Sequence, residues 1–232
     1  MAASRFRTTQ VHRNAEWLRG LKPSEIDLIL AAARSCRFPA KSVMTFHGEP
    51  ADHLLMMWEG RARYFFETSN GKKVILMWIR PGDVFGATAL VSQPSVYVTS
   101  AEAVRESTVL VWDRPKIQVL ARRFPQLLEN LLLIGTNYLY WYVAAHTALV
   151  SQTARERLAH IVFALSKSIG ENASGFIEID VTNEELANSA NITPYTASRV
   201  ISNWERNGVI GKKRGKLLVR SPEKLFLRVT GH

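Results

Sequence analysis

The sequence predicts an α+β chain. An N-terminal barrel of short strands, of the β-roll or jelly-roll kind, comes first; one long helix follows; a small C-terminal domain of helices ends in a basic hairpin. Three observations carry this expectation. Residues 37–113 break into short apolar runs divided by turn signals, at the roughly 8–12-residue spacing of sandwiches and barrels. Residues 125–149 are one continuous apolar and aromatic helical pattern. From residue 153 on, helical periods alternate with two short strand pairs. The expected boundaries are 1–124 for the barrel domain, 125–152 for the long helix and hinge, and 153–232 for the C-terminal domain.

The elements follow in chain order. "LKPSEIDLILAAAR" reads as a helix starting near Pro23-Ser24. The strand candidates are "SVMTF", "HLLMMWEG", "RARYFFET", "VILMWI", "YVTSAEAV" and "TVLVWD". Asn70-Gly71 in "SNGK" marks a hairpin turn. Pro125 suits the first turn of the long helix. Along that helix Leu127, Leu131, Ile134, Tyr138, Trp141, Ala145 and Ala148 recur at alternating spacings of four and three, which is the seam of a coiled coil. Leu128, Leu132, Leu139 and Val143 add a second apolar stripe. A helix with two apolar stripes can pack both on its own barrel and on a second copy, so Leu127, Leu131, Ile134, Tyr138, Trp141 and Ala145 are the expected dimer contacts. A core helix of a monomer is the other reading.

The C-terminal domain opens with the helical run "ARERLAHIVFALSKSIG", and "SGFIEIDVT" reads as a strand pair. Thr182 and Glu185 form the T-x-x-E of a capping box ahead of the short helix "NEELANSA". Asn191 suits a left-handed turn. The next helix, 194–207, buries Ala197, Val200, Ile201 and Trp204 by period and exposes Tyr195, Ser198, Arg199, Ser202, Asn203 and Arg206. "VIGKKRGKLLVRS" then reads as two strands around a Gly- and Lys-rich tip. Helix, tight turn, helix and basic hairpin make a winged helix-turn-helix, whose second helix enters the DNA major groove. The DNA-binding candidates are Thr193, Tyr195, Thr196, Ser198, Arg199 and Ser202 on the helix. Lys212, Lys213, Arg214 and Lys216 join them on the wing. Arg199 can give two hydrogen bonds to guanine, while the wing cations would neutralise phosphates.

Charge agrees. The net charge is +10 over 232 residues, which suits a polyanionic partner. Between 194 and 216, Arg199, Arg206, Lys212, Lys213, Arg214 and Lys216 stand against one acid, Glu205. A hydrophobic content of 47% permits a sizeable core. No run of about 20 apolar residues predicts a membrane span, and the N-terminus lacks the apolar core of a signal peptide; the expected location is the cytoplasm. Cys36, the single cysteine, cannot form an internal disulfide or by itself hold a zinc or iron–sulfur site. It is an inert thiol or, between Arg34 and Arg37, a redox-sensitive one. His146 is a helix histidine or a haem ligand. The cluster Tyr138, Tyr140, Trp141 and Tyr142 serves packing or an apolar effector pocket. No metal site, cofactor or catalytic constellation is expected, so the chain is not read as an enzyme.

The order of barrel, long helix and winged helix-turn-helix resembles the CRP/FNR family of bacterial transcription regulators. The resemblance is carried by "KSVMTFHGEPADHLLMMWEGRARYFF", "NGKKVILMWIRPGDVFG", the Pro125 helix start, "TARERLAHIVFAL" and "ITPYTASRVISNWERNGVI". It implies a cyclic-nucleotide-binding-like barrel, a homodimer joined along the long helix, a palindromic double-stranded operator and RNA polymerase as a further partner. The family's base-reading Ser-Arg pair matches Ser198-Arg199, and its usual Glu falls at Tyr195. The nucleotide pocket departs from the family: after Gly86, Ala87 replaces the Glu, Tyr97-Val98 replaces the Arg-Ser pair that holds the cyclic phosphate, and Tyr142-Val143 replaces the base-binding hydroxyls. A buried cyclic phosphate needs a cation or a nest of donors, so cyclic AMP is not expected to bind in the usual manner. The four-cysteine cluster of the family's oxygen sensors is excluded. The effector is unknown, and a basic domain that docks a protein partner is the competing function.

Overall fold

The computed structural model describes residues 10–173, 175–213 and 215–226. Two compact units divide the chain: Met1–Phe66 with Leu76–Tyr140, and Glu67–Ile75 with Trp141–His232. The division falls inside the long helix, and residues 67–75 of one barrel hairpin group with the second unit.

The first unit begins with α1 (Gln10–Arg13), a 3-10 turn (Glu16–Leu18) and α2 (Pro23–Ala31). Pro23 stands in the first turn of α2, and the Lys22 backbone N–H donates to Glu25 Oε2 at 2.8 Å. Eight strands follow: β1 (Arg34–Phe38), β2 (Val43–Thr45), β3 (His53–Glu59), β4 (Ala62–Glu67), β5 (Lys73–Ile79), β6 (Val84–Phe85), β7 (Ser100–Ala103) and β8 (Ser107–Asp113). They form two four-stranded sheets, β1-β8-β3-β6 and β2-β7-β4-β5. Gly71 takes the turn of the β4–β5 hairpin at φ 76°, the left-handed region that the Asn-Gly signal anticipates.

Alternation along β3 explains the two cores. Leu55 and Met57 pack with Ala62, Ile79, Phe85, Ala101, Val109 and Val111 between the sheets. Leu54, Met56 and Trp58 face the other way, toward the helices. Successive strand residues point to opposite faces, so a strand covered on both sides reads as a continuous apolar run, as "HLLMMW" does. The outer core joins Trp17, Leu18, Ile26, Ile29, Trp112, Ile117, Leu120 and Phe124. Two of its indoles have polar contacts: Trp112 Nε1 donates to the Ile29 carbonyl at 2.8 Å, and Trp17 Nε1 contacts Met56 Sδ at 3.1 Å.

β1 and α3 (Arg114–Arg123) are two elements that the sequence reading did not mark. β1 carries Arg34 and Cys36 in register with β8. The signal for α3 is Pro115 in its first turn, followed by the buried spacing Ile117, Leu120, Ala121.

The long helix α4 spans Gln126–Ser151. Leu127 and Ile134 are buried in the outer core, and Leu131 and Tyr138 pack against it. Asn130 fixes that orientation, with Nδ2 donating to the Trp17 and Arg19 carbonyls at 2.9 and 2.8 Å. Four of the expected dimer contacts therefore pack within the chain itself. Leu127 and Ile134 are buried in the core of their own unit, and Leu131 and Tyr138 lie on the same inward face. The exposed apolar positions include Leu128, Leu132, Leu133, Leu139, Tyr140, Tyr142, Val143, Leu149 and Val150, with Trp141 at the edge of exposure and Ala145 half-buried. The two stripes are one residue apart, a rotation of about 100° on a helix of 3.6 residues per turn.

The second unit contains α5 (Ala154–Ser168), β9 (Glu171–Ala173), β10 (Phe176–Asp180), α6 (Asn183–Ser189), α7 (Pro194–Arg206), β11 (Ile210–Lys213), β12 (Lys216–Val219) and a 3-10 turn (Pro222–Phe226). The sheet order is β11-β12-β10-β9. Its core is built by Leu158, Val162, Leu165, Ile179, Leu186, Ile201, Trp204, Leu217 and Val219. Among the described residues no helix is long and apolar enough to cross a membrane.

Candidate functional site

The helix-turn-helix is assembled from local signals. Thr182 caps α6: its hydroxyl accepts from the Glu185 N–H at 3.2 Å, and Glu185 Oε2 accepts from the Thr182 N–H at 2.8 Å. Such reciprocal bonds satisfy donors that the helix leaves free. Asn191 takes the turn at φ 49°. Thr193 then caps α7, accepting from the Thr196 N–H at 3.1 Å, and the two threonine hydroxyls are 2.9 Å apart. Thr193 and Thr196, both DNA-contact candidates, thus have a capping role in the helix.

Ala197, Val200, Ile201 and Trp204 are buried, which orients the rest of α7. Tyr195 is 77% exposed in its first turn. Arg199 and Arg206 are exposed, and Ser198, Ser202 and Asn203 are half-buried. The sequence did not signal what braces this helix. Arg155 Nη1 on α5 donates to Asn203 Oδ1 at 2.9 Å, and its guanidinium lies 5.4 Å from the Trp204 ring. Arg157 donates to the Gln152 carbonyl at 2.8 Å and the Ala190 carbonyl at 3.1 Å, tying the start of α5 to the turn before α7. Both arginines lie in one unremarkable helical run, and only their partners reveal them.

On the wing, Lys213 is exposed. Lys212 Nζ sits 3.0 Å from Glu205 Oε2 and donates to Ser202 Oγ at 3.1 Å. Lys216 is paired with Glu178 on β10, which holds that carboxyl below its usual range, chiefly through the hydrogen bond; desolvation opposes this and the lysine charge adds to it. Two of the expected phosphate cations therefore have carboxylate partners within the domain. Arg214 lies outside the described residues.

Of the expected effector-pocket residues, the structure brings two together. Gly86 adopts φ 76° at the end of β6. A Cβ there would meet the His53 carbonyl oxygen at 2.7 Å and Tyr97 Cε1 at 3.1 Å, so a glycine is required. Tyr97 is 7% exposed. Its hydroxyl accepts from the His53 N–H and donates to the His53 carbonyl, both at 3.1 Å. The side chain at the position of the phosphate-binding arginine is thus turned inward onto the glycine turn. Ala87 and Val98 are exposed, and Tyr142 and Val143 are exposed on α4 in the second unit.

Tyr64, which the sequence did not single out, packs against the inter-sheet core. Burial drives its phenol far above the ordinary range; the charges of Tyr138 and Asp83 add to this, and a hydrogen bond from the Gly86 backbone opposes it. Burial raises Tyr138 likewise, reinforced by Asp83. Asp83 is itself raised by burial against the bonds it accepts from Arg80. This corner therefore favours neutral groups. Arg34 donates to Cys36 Sγ at 2.6 Å, and His146 is exposed. No cluster of three or more His, Cys, Asp or Glu side chains able to hold a metal occurs among the described residues.

Comparison with known proteins agrees with this architecture. Residues 35–124 match the cyclic nucleotide-binding domain model, and residues 156–226 match the Crp-like helix-turn-helix domain model. The chain is 27% identical over 201 residues to the cyclic AMP receptor protein of Thermus thermophilus, covering 87% of this chain and 90% of that one. It is 22% identical over 211 residues to the CRP-like cAMP-activated global transcriptional regulator of Mycobacterium tuberculosis, covering 90% and 94%. A solved CRP/FNR-family transcriptional regulator of Thermus thermophilus superposes with a TM-score of 0.70 at 24% identity, covering 83% of this chain and 96% of that one. With a cyclic nucleotide-binding fold, a long helix and a Crp-like helix-turn-helix in this order, the chain belongs to the CRP/FNR family of DNA-binding transcription regulators.

Proposed function

We propose that this regulator is a cytoplasmic, non-catalytic homodimer that reads an inverted-repeat operator through α7 and does so without cyclic AMP. The observation that carries the reading is the face of α7: Tyr195 and Arg199 stand exposed beside the basic β11–β12 hairpin, with the apolar side of the helix buried. Arg199 supplies bidentate recognition of a guanine, and Tyr195 occupies the position from which the family's Glu accepts a bond from cytosine. A two-fold dimer sets two such helices about 34 Å apart, one DNA turn. The exposed stripe Leu128, Leu132, Leu139 and Val143 suits a second copy of α4. The functional division is a barrel domain over 1–124, a dimerisation helix and hinge over 125–152 and a DNA-binding domain over 153–232. RNA polymerase is the further partner in this reading.

Independence from cyclic AMP rests on Tyr97. A ligand shifts a two-state equilibrium only by its differential affinity for the states, and a buried phosphate without a cation gains little from this pocket. The test is selection of bound sequences from a random duplex pool, followed by calorimetry with cyclic AMP and cyclic GMP. The expected result is a palindromic site bound without added nucleotide. Micromolar nucleotide binding that tightens operator binding at least tenfold would restore a nucleotide-gated mechanism.

A further inference from the structure

Glu205 is the one acid among the residues from 194 to 216. A carboxylate on the last turn of a DNA-reading helix opposes phosphate binding unless it is neutralised, and here it is. Lys212 reaches across from β11, 3.0 Å from Glu205 Oε2. The same ammonium donates to Ser202 Oγ at 3.1 Å. Ser202 and Glu205 lie three residues apart, so they share one flank of α7. Lys212 thereby spans from the wing to two successive turns of the helix. An ammonium has only donors, so the Ser202 oxygen accepts from it and the Ser202 hydroxyl hydrogen is left to donate elsewhere.

We propose that Lys212 is a positioning residue: Glu205 holds it as a strut that fixes the wing against α7 and presents Ser202 as a hydrogen-bond donor toward the DNA, rather than leaving Lys212 to neutralise a phosphate. The proposal rests on the reading of α7 as the DNA-reading helix. It divides the wing cations by task. Lys212 and Lys216 are tied to carboxylates of their own domain, and Lys213 remains exposed for the backbone of the duplex.

The test uses the full chain, a duplex selected from a random pool and a scrambled duplex of equal length, with binding measured over a range of salt concentrations. A phosphate contact contributes about 0.9 to the slope of log affinity against log salt. Lys212→Met is combined with Glu205→Gln, so that no unpaired carboxylate faces the phosphates; this double variant is expected to leave that slope unchanged and to lower the ratio of selected to scrambled affinity severalfold. Glu205→Gln, which frees the ammonium, is expected to steepen the slope by about one and to tighten the scrambled duplex more than the selected one. Lys212→Arg, which keeps a cation within reach of Glu205, should retain the ratio. A shallower slope for the double variant, with equal loss on both duplexes, would make Lys212 an ordinary phosphate contact and overturn the proposal. So would a Glu205→Gln protein with wild-type slope and ratio, an outcome that stands even if the double variant fails to fold. Failure of the wild-type protein to select any sequence would instead overturn the DNA-reading assignment itself.

Discussion

Replacing Leu132 and Leu139 together with glutamate distinguishes the two stripes of α4. In the single chain these side chains are 73% and 65% exposed, so the substitutions remove little from its own core. Full burial of a leucine contributes about 1.5–3 kcal/mol, and roughly two thirds of that remains to be gained here, or about 1–2 kcal/mol for each side chain. A two-fold dimer counts four such side chains, a loss on the order of 4–8 kcal/mol. At about 1.4 kcal/mol per tenfold, the dimer weakens by three or more powers of ten. Leu127→Ala is the matched control. Leu127 is fully buried in the core of its own unit, so that variant should lose about 2–5 kcal/mol of protomer stability and keep its dimer constant. Sedimentation equilibrium gives the assembly and urea unfolding the stability. A Leu132→Glu/Leu139→Glu protein that sediments as a wild-type dimer, beside a folded Leu127→Ala protein that dissociates, would refute the assignment of the stripes.

Three further outcomes follow from the same contacts. Arg199→Ala should lose about 1–3 kcal/mol per half-site on the selected duplex and less on random DNA; equal loss on both in a titration at fixed salt would reduce Arg199 to a phosphate contact. Thr182→Ala removes the hydroxyl that accepts from the Glu185 N–H and should cost about 1 kcal/mol, read as a lower melting temperature. Tyr64 and Tyr138 are raised above the ordinary phenol value of 10.0 on folding, chiefly by burial. The unfolded chain therefore ionises them first, the native chain binds the extra protons, and stability falls as pH rises from about 10 upward. Urea unfolding across that range should show a flatter alkaline limb for Tyr64→Phe, and a limb as steep as wild type would contradict the buried placement of the phenol.

Much of the fold was legible in the sequence because its signals are local. Thr182 with Glu185, Asn191 before Pro194 and the four apolar positions of α7 specify the helix-turn-helix within about 25 residues, since caps, left-handed turns and helical period depend on near neighbours. Asn70-Gly71 and the alternating runs did the same for the hairpins. β1 and α3 were harder to read: β1 is a polar strand defined by pairing with β8, and α3 presents a short apolar spacing among charges. Tertiary structure decided what depends on residues distant in the chain. Apolar residues surround most of α4, so period alone allows two seams one residue apart. The choice was made by Asn130, whose amide finds carbonyls of Trp17 and Arg19, more than a hundred residues away. The wing's charge was visible as a cluster, but that Lys212 meets Glu205 and Lys216 meets Glu178 required strands and helix in place. The absence of a phosphate-binding arginine could be read at position 97, whereas the use of Tyr97 to cover Gly86 and bond both backbone groups of His53 could not. A residue's type fixes the bonds it can make, and only the folded chain supplies the partner that determines which one forms.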